Sequence, residues 1–284
     1  MKSDCHIHML LNGEDWRAAI DGHRKEPDRE LIRRRLRSYA DAGFSYLRDG
    51  GDRWGVGAAA REIAPEFGIT YRTPLAPLCR AGHYGAFIGK KFENLKGYAR
   101  MVGENRRKYG DFIKIMVSGL MDFNRFGKLT EEGLSGCEIA EMVRIAHEEG
   151  FAVMVHANGA RTLEAAALAG ADSIEHGAYL DIHAMTAMRE NGTIWCPTLS
   201  AIGNLRGRGR FDEEAVCEIY RTAQQNVRIF ADMGGFIAPG SDAGAWAVPH
   251  VQGGEDEYRH LTEALGEKCG EVLFRGIREV QRRF

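Results

Sequence analysis

Eight short apolar runs recur along this 284-residue chain, and stretches with helical spacing separate them. The runs are CHIHML (5–10), FSYLRDG (44–50), ITYRTPLAPLC (69–79), FIKIMVSG (112–119), FAVMVHA (151–157), DSIEHG (172–177), TIWCPTL (193–199) and FIAPGSDAG (236–244). Between them, segments such as DRELIRRRLRSYADAG, CEIAEMVRIAHEEG and DEEAVCEIYRTAQQNVRIFADMGG repeat apolar residues every three to four positions. Gly43, Gly68, Gly110, Gly150, Gly170, Gly192 and Gly234 stand just before strands, where a helix C-terminus favours a left-handed residue. Strand and helix in strict alternation predict a parallel sheet with right-handed crossovers, and eight strands are the number that closes such a sheet into a barrel. The expected fold class is therefore α/β, a (β/α)8 TIM barrel occupying residues 1–284 as one domain. A doubly wound sheet usually needs fewer strands, and no Pro-, Ser- or charge-rich linker divides the chain.

In such a barrel the strand C-termini form the reactive face, so polar residues there carry the most information. The sequence places His6 and His8 on strand 1, Lys114 in strand 4, His156 on strand 5, His176 on strand 6 and Asp242 after strand 8. Side chains alternate along a strand, so His6 and His8 share a face and Ile7 points away. Four imidazoles and a carboxylate suit zinc and related divalent ions. Lys114 is the misfit, because an ammonium repels metal ions. As a neutral amine it could instead take up carbon dioxide and become a carbamate, an anion with two oxygens.

These stretches, with DCHIHML, FSYLRDGG, DFIKIMVSG, VMVHANG, SIEHGAYLD, CPTLS and GSDAG in order along the barrel, resemble the amidohydrolase superfamily. The likeness is to its binuclear, carboxylated-lysine subtype, in the imidazolonepropionase-like and prolidase-like branch. The resemblance implies two divalent metal ions, with zinc favoured: His6, His8 and Asp242 on one, His156 and His176 on the other, and a carbamate on Lys114 bridging them. It further implies a metal-bound hydroxide as nucleophile, with Asp242 as the catalytic acid/base. His83, in the glycine-flanked AGHYG after strand 3, is the expected contact to the substrate carbonyl. Apart from the resemblance, Arg206, Arg208 and Arg210 of NLRGRGRF lie after strand 7, where one of them could bind a substrate carboxylate.

Relatives in this branch open with a β-sandwich and return to it after strand 8, whereas here five residues precede His6. The expectation is a barrel without that domain, its ends covered by loops or by a second copy, which favours a homo-oligomer over a monomer. A net charge of -2 argues against a nucleic-acid partner. The start MKSDCH lacks a targeting pattern and no run is long enough to span a membrane, so a cytoplasmic location and no membrane partner are expected. Six cysteines without C-x-x-C spacing read as reduced thiols. GVGAAA (55–60) matches a dinucleotide fingerprint in form, but the acidic residue expected after the next strand is missing from ITYRTPL, so it reads as a loop and helix start. His23, His147, His183, His250 and His260 fall outside the motifs, with His250 near enough in sequence to Asp242 to approach the site.

The reading is a metal-dependent hydrolase of a C–N bond, an amide, peptide or cyclic amide in a small molecule. Deamination, ester or lactone hydrolysis and isomerisation on the same scaffold are the rival chemistries. A non-catalytic barrel acting as a binding module is the rival of another class.

Overall fold

The computed structural model describes residues 2–284. The chain opens with strand β1 (Lys2–Ile7), helices α1 (Trp16–His23) and α2 (Arg29–Asp41), strand β2 (Phe44–Asp49) and helix α3 (Val56–Ile63). Three short strands follow, β3 (Thr70–Arg72), β4 (Leu78–Arg80) and β5 (Lys90–Phe92), then α4 (Leu95–Arg107). From there the alternation is regular: β6 (Ile113–Met116), α5 (Gly136–Glu148), β7 (Val153–Ala157), α6 (Ala160–Leu168), β8 (Ser173–His176), α7 (Ile182–Glu190) and β9 (Ile194–Cys196). Helices α8 (Ser200–Gly203) and α9 (Glu213–Asp232), strand β10 (Phe236–Ile237) and helices α10 (Gln252–Leu265) and α11 (Cys269–Arg283) complete it.

Every strand pairing is parallel. The strands form one sheet in the order β1-β2-β3 and another in the order β10-β9-β8-β7-β6-β4-β5. Backbone bonds link the two sheets. Cys5 N–H donates to Pro239 O at 2.8 Å, Asp242 N–H to His6 O at 2.8 Å and His8 N–H to Ala243 O at 2.7 Å; Asp111 N–H, before β6, donates to Thr73 O, after β3, at 3.0 Å.

The run expected as a single third strand is two, β3 and β4. Pro74 and Pro77 interrupt it, since proline has no N–H for a ladder. Likewise only Phe236 and Ile237 of FIAPGSDAG are strand, because Pro239 and Gly240 end it. Six of the seven punctuating glycines have positive φ; Gly110 does not, and Tyr109 takes the left-handed position instead at φ 57°. Gly110 is small because the Asn105 side chain packs where a Cβ would lie, with its Nδ2 donating to Phe112 O at 2.9 Å.

The helices form for local reasons that match their burial. In α2, Asp28 caps the N-terminus by accepting from Leu31 N–H, and Ile32, Leu36 and Tyr39 make one buried stripe. Each such aliphatic side chain contributes roughly 1.5–3 kcal/mol by leaving water. The terminal α11 works differently. Its Val280, together with Phe284, joins Cys5, Tyr46, Phe112, Met154 and Ile194 in a separate cluster drawn largely from strand starts, so the terminal aromatic packs at the end opposite the histidines. The Phe284 ring lies edge-on to Phe112 at 5.2 Å, and the Arg48 guanidinium stacks on it at 4.3 Å.

Candidate metal centre

The site is built from strand ends. His6 lies one residue before the end of β1 and His8 one residue beyond it, and their Nε2 atoms come to 3.4 Å. Asp242, after β10, puts Oδ1 3.6 Å from His6 Nε2 and 3.3 Å from His8 Nε2. Asp242 holds φ 61°, a conformation few non-glycine residues adopt, and its N–H bond to His6 O fixes it there. Gly50 packs directly on the His8 imidazole, where a Cβ would collide with the ring.

A second pair sits beside this trio. The His156 and His176 rings are 4.6 Å apart between centroids, and His176 is 5.0 Å from His6. Lys114 lines the same cavity from β6. Its Nζ is buried and has no hydrogen-bond partner among the described residues.

Burial depresses all four imidazoles, followed by the cationic charge of Lys114 at His6, His8 and His156 and by the His156 and His6 rings at His176. His8 and His156 fall to about 3, and His6 and His176 lie well below the ordinary histidine value, the latter also through its neighbouring rings. They are neutral rings with lone pairs available. Burial lowers Lys114 to about 8, with Glu175 opposing the shift. The same burial raises Asp242 to about 7 against the attraction of Lys114. Neutral imidazoles, a carboxylate and an orphaned amine fit divalent metal ions: a buried polar atom without a partner is costly unless something satisfies it.

Glu175, which sequence reasoning passed over, organises the floor. Its Oε2 lies 2.7 Å from His6 Nδ1. Its Oε1 accepts from Arg48 Nη2 at 2.9 Å and from Ser173 Oγ at 2.6 Å. Accepting the Nδ1 proton leaves the His6 Nε2 lone pair facing Asp242 and His8. Arg48 is fully buried and donates from Nε to Cys5 O at 2.7 Å; burial opposes its charge, and Glu175 together with Cys196, Cys5 and Tyr46 around it more than offsets that burial. Strand alternation would turn Glu175 and His176 to opposite faces. His176 has φ 68°, and that reversal lets both side chains face the site.

His83 and its neighbour exchange places relative to expectation. His83 does not line the cavity and lies 3.5 Å from Glu131, whereas Tyr84 lines it with its ring 4.9 Å from His156. Of the three arginines, only Arg210 lines the cavity, stacked on Trp246 at 4.4 Å. Arg206 donates to Gly203 O and stacks on Tyr220, and Arg208 donates to Asn204 O. His250 is held away from the cavity between Leu11 O, at 2.9 Å, and the Tyr39 hydroxyl, at 3.1 Å. GVGAAA forms the start of α3, where Asp52 accepts from Val56 and Gly57 N–H and so already fills the helix N-terminus with a carboxylate.

No family model matches the sequence, and no curated protein matches it. Solved structures do. A Xaa-Pro dipeptidase with methionine bound in its active site superposes with a TM-score of 0.76 at 22% identity, over 99% of this chain and 75% of that one. The ochratoxinase of A. niger gives 0.75 at 20% identity, over 95% and 68%. Phenylurea hydrolase B gives 0.73 at 15% identity, over 100% and 74%. The likeness is one of fold, and it agrees with the amidohydrolase resemblance carried by the motifs: this chain has the parallel α/β architecture of these hydrolases.

Proposed function

We propose that the chain is a metal-dependent hydrolase of C–N bonds in small amides, working as a closed (β/α)8 barrel. The observation that carries this is the convergence of four neutral imidazoles, Asp242 and the unpartnered Lys114 amine on the floor of one cavity of about 810 Å³. Backbone hydrogen bonds between the two sheets support closure. The fold shared with a dipeptidase and a phenylurea hydrolase supports the reaction class.

His6, His8 and Asp242 would hold one ion, His156 and His176 a second, and Lys114 would join them. The depressed pKa of Lys114 keeps a larger share of it as free amine at neutral pH. That amine can add to carbon dioxide, losing a proton, and the resulting carbamate would satisfy the buried nitrogen. When bound, the ions would polarise the amide carbonyl and lower the pKa of a water.

The chain's own groups then divide the work. Glu175 and Arg48 fix the floor, and Tyr84 shields the His156 side from water. Asp242 Oδ1 faces the histidines, while Oδ2 makes no protein hydrogen bond among the described residues. Oδ2 would take the proton from the attacking water and deliver it to the leaving nitrogen, a general acid/base role open to the carboxylate oxygen that makes no protein hydrogen bond.

The test is zinc-loaded protein, parent and Asp242→Asn, against dipeptides, N-acyl amino acids, lactams and lactones. Parent turnover of an amide, cut by about a hundredfold or more in the variant at retained thermal stability, is the expected result. Turnover of lactones alone would favour the esterase chemistry, and equal turnover in the variant would remove Asp242 from its role.

A further inference from the structure

The walls above the metal floor carry two aromatic clusters that the hydrolase reading does not require. One runs outward from a proposed ligand: His156 to Tyr84 at 4.9 Å, Tyr84 to Phe87 at 5.8 Å, Phe87 to Trp16 at 5.6 Å. The other stands on the side of Asp242: Phe123 to Phe211 at 5.2 Å and Phe211 to Trp246 at 6.0 Å, with Trp246 four positions beyond the aspartate. All six rings line the same cavity, and no ring of one cluster stacks on a ring of the other among the described residues. The same cavity is lined by His6, His8, His156, His176 and Asp242 of the floor.

Each cluster ends in a tryptophan backed by a guanidinium, Arg17 over Trp16 at 4.2 Å and Arg210 over Trp246 at 4.4 Å. Neither arginine side chain makes a hydrogen bond or ion pair among the described residues, so stacking is what holds it. None of the six rings is fully buried: all are half-buried except Trp16, which is 39% exposed. Flat apolar faces left open to a cavity point to a ligand that covers them, because scattered rings are normal on a surface but two separate aromatic clusters lining one concavity are not.

We propose that the substrate is an amide bearing an aromatic or comparably flat apolar group on each side of the scissile bond. One group would stack along Tyr84, Phe87 and Trp16, the other along Phe123, Phe211 and Trp246, with the carbonyl over the histidine floor. This inference rests on the hydrolase reading for the reaction but on the rings alone for recognition. The cavity volume is in the range that encloses a drug-sized molecule, well beyond the needs of a dipeptide of small residues.

The experiment compares zinc-loaded parent, Trp16→Ala, Trp246→Ala and Trp246→Phe with N-benzoyl-phenylalanine and N-acetylalanine. Binding of the ketomethylene analogue of N-benzoyl-phenylalanine, which cannot be hydrolysed, is read separately by tryptophan fluorescence. The parent should prefer the aromatic substrate in kcat/KM by about tenfold or more for each ring buried. Either alanine variant should shrink that preference mainly through KM and weaken the analogue, and Trp246→Phe should restore most of both. Equal kcat/KM for the two substrates, or no fluorescence response to the analogue, would overturn the inference while leaving amide hydrolysis intact. Analogue binding without turnover of any amide would uphold the aromatic recognition and sink the hydrolase reading instead.

Discussion

Glu175→Gln separates two roles that one side chain performs. The carboxylate is fully buried, with Oε1 bonded to Arg48 and Ser173 and Oε2 to His6 Nδ1. Glutamine keeps the shape and removes the charge. Arg48, itself fully buried, then loses its counter-charge, and breaking such a pair from one side costs about 3–5 kcal/mol of stability. At the other oxygen, a glutamine NH₂ placed against His6 Nδ1 would favour the tautomer whose Nε2 carries the proton, and loss of such an orienting partner weakens metal binding by roughly 10–100-fold. Urea unfolding of metal-free protein reads the first effect, and competition for zinc against a chromophoric chelator reads the second. Arg48→Met combined with Glu175→Gln removes the stranded charge, so the double variant should recover stability but not zinc affinity. Zinc affinity unchanged in both variants would show that Glu175 serves only as a counter-ion for Arg48 and would refute the orienting role.

Three further outcomes are expected. Gly50→Ala should weaken zinc binding with little loss of secondary structure, because the added methyl collides with the His8 ring; unaltered affinity would mean that the ring can move aside freely. Burial pushes the Glu257 carboxyl from 4.5 up to about 8, only partly offset by N–H bonds from Ser200 and Leu199. A raised acid favours the folded state when protonated, so its contribution is complete below pH 4.5 and is lost as pH rises through about 8. Glu257→Gln should therefore flatten the fall in unfolding free energy over that window by roughly 3–5 kcal/mol, and a parallel pH profile in parent and variant would discount the burial argument. Phe284→Ala empties the packing between Phe112 and Arg48 and should cost about 3–5 kcal/mol in urea unfolding, with no change if the terminal ring contributes nothing.

Much of the floor was legible in the sequence because its residues sit where a simple rule looks. His6 and His8 are two apart on one strand, and Lys114, His156 and His176 each fall inside a short apolar run. The alternation of runs and helical stretches likewise gave the parallel α/β plan. The rule failed where the backbone leaves regular geometry. Glu175 was hidden because alternation assigns it the face opposite His176, and only the positive φ at His176 brings both inward. Tyr84 rather than His83 faces the histidines because loop conformation, not spacing, decides which neighbour turns in. The aromatic walls come from excursions such as 9–24 and 242–251, whose path no periodicity describes. Pro74 and Pro77 were visible, yet their consequence, a third strand split between two sheets, depends on pairings made far along the chain.

The central claim is that the histidines, Asp242 and Lys114 form one binuclear centre, and metal content measured together with the intact mass of the native protein tests it most directly. Purified protein reconstituted with zinc under bicarbonate should hold about two ions per chain, as the ligand count requires. The intact mass under non-acidic conditions should include one added carbon dioxide, and Lys114→Ala should lose both the added mass and the second ion. Protein that takes up no zinc, or that binds it equally well without Lys114, would contradict the account.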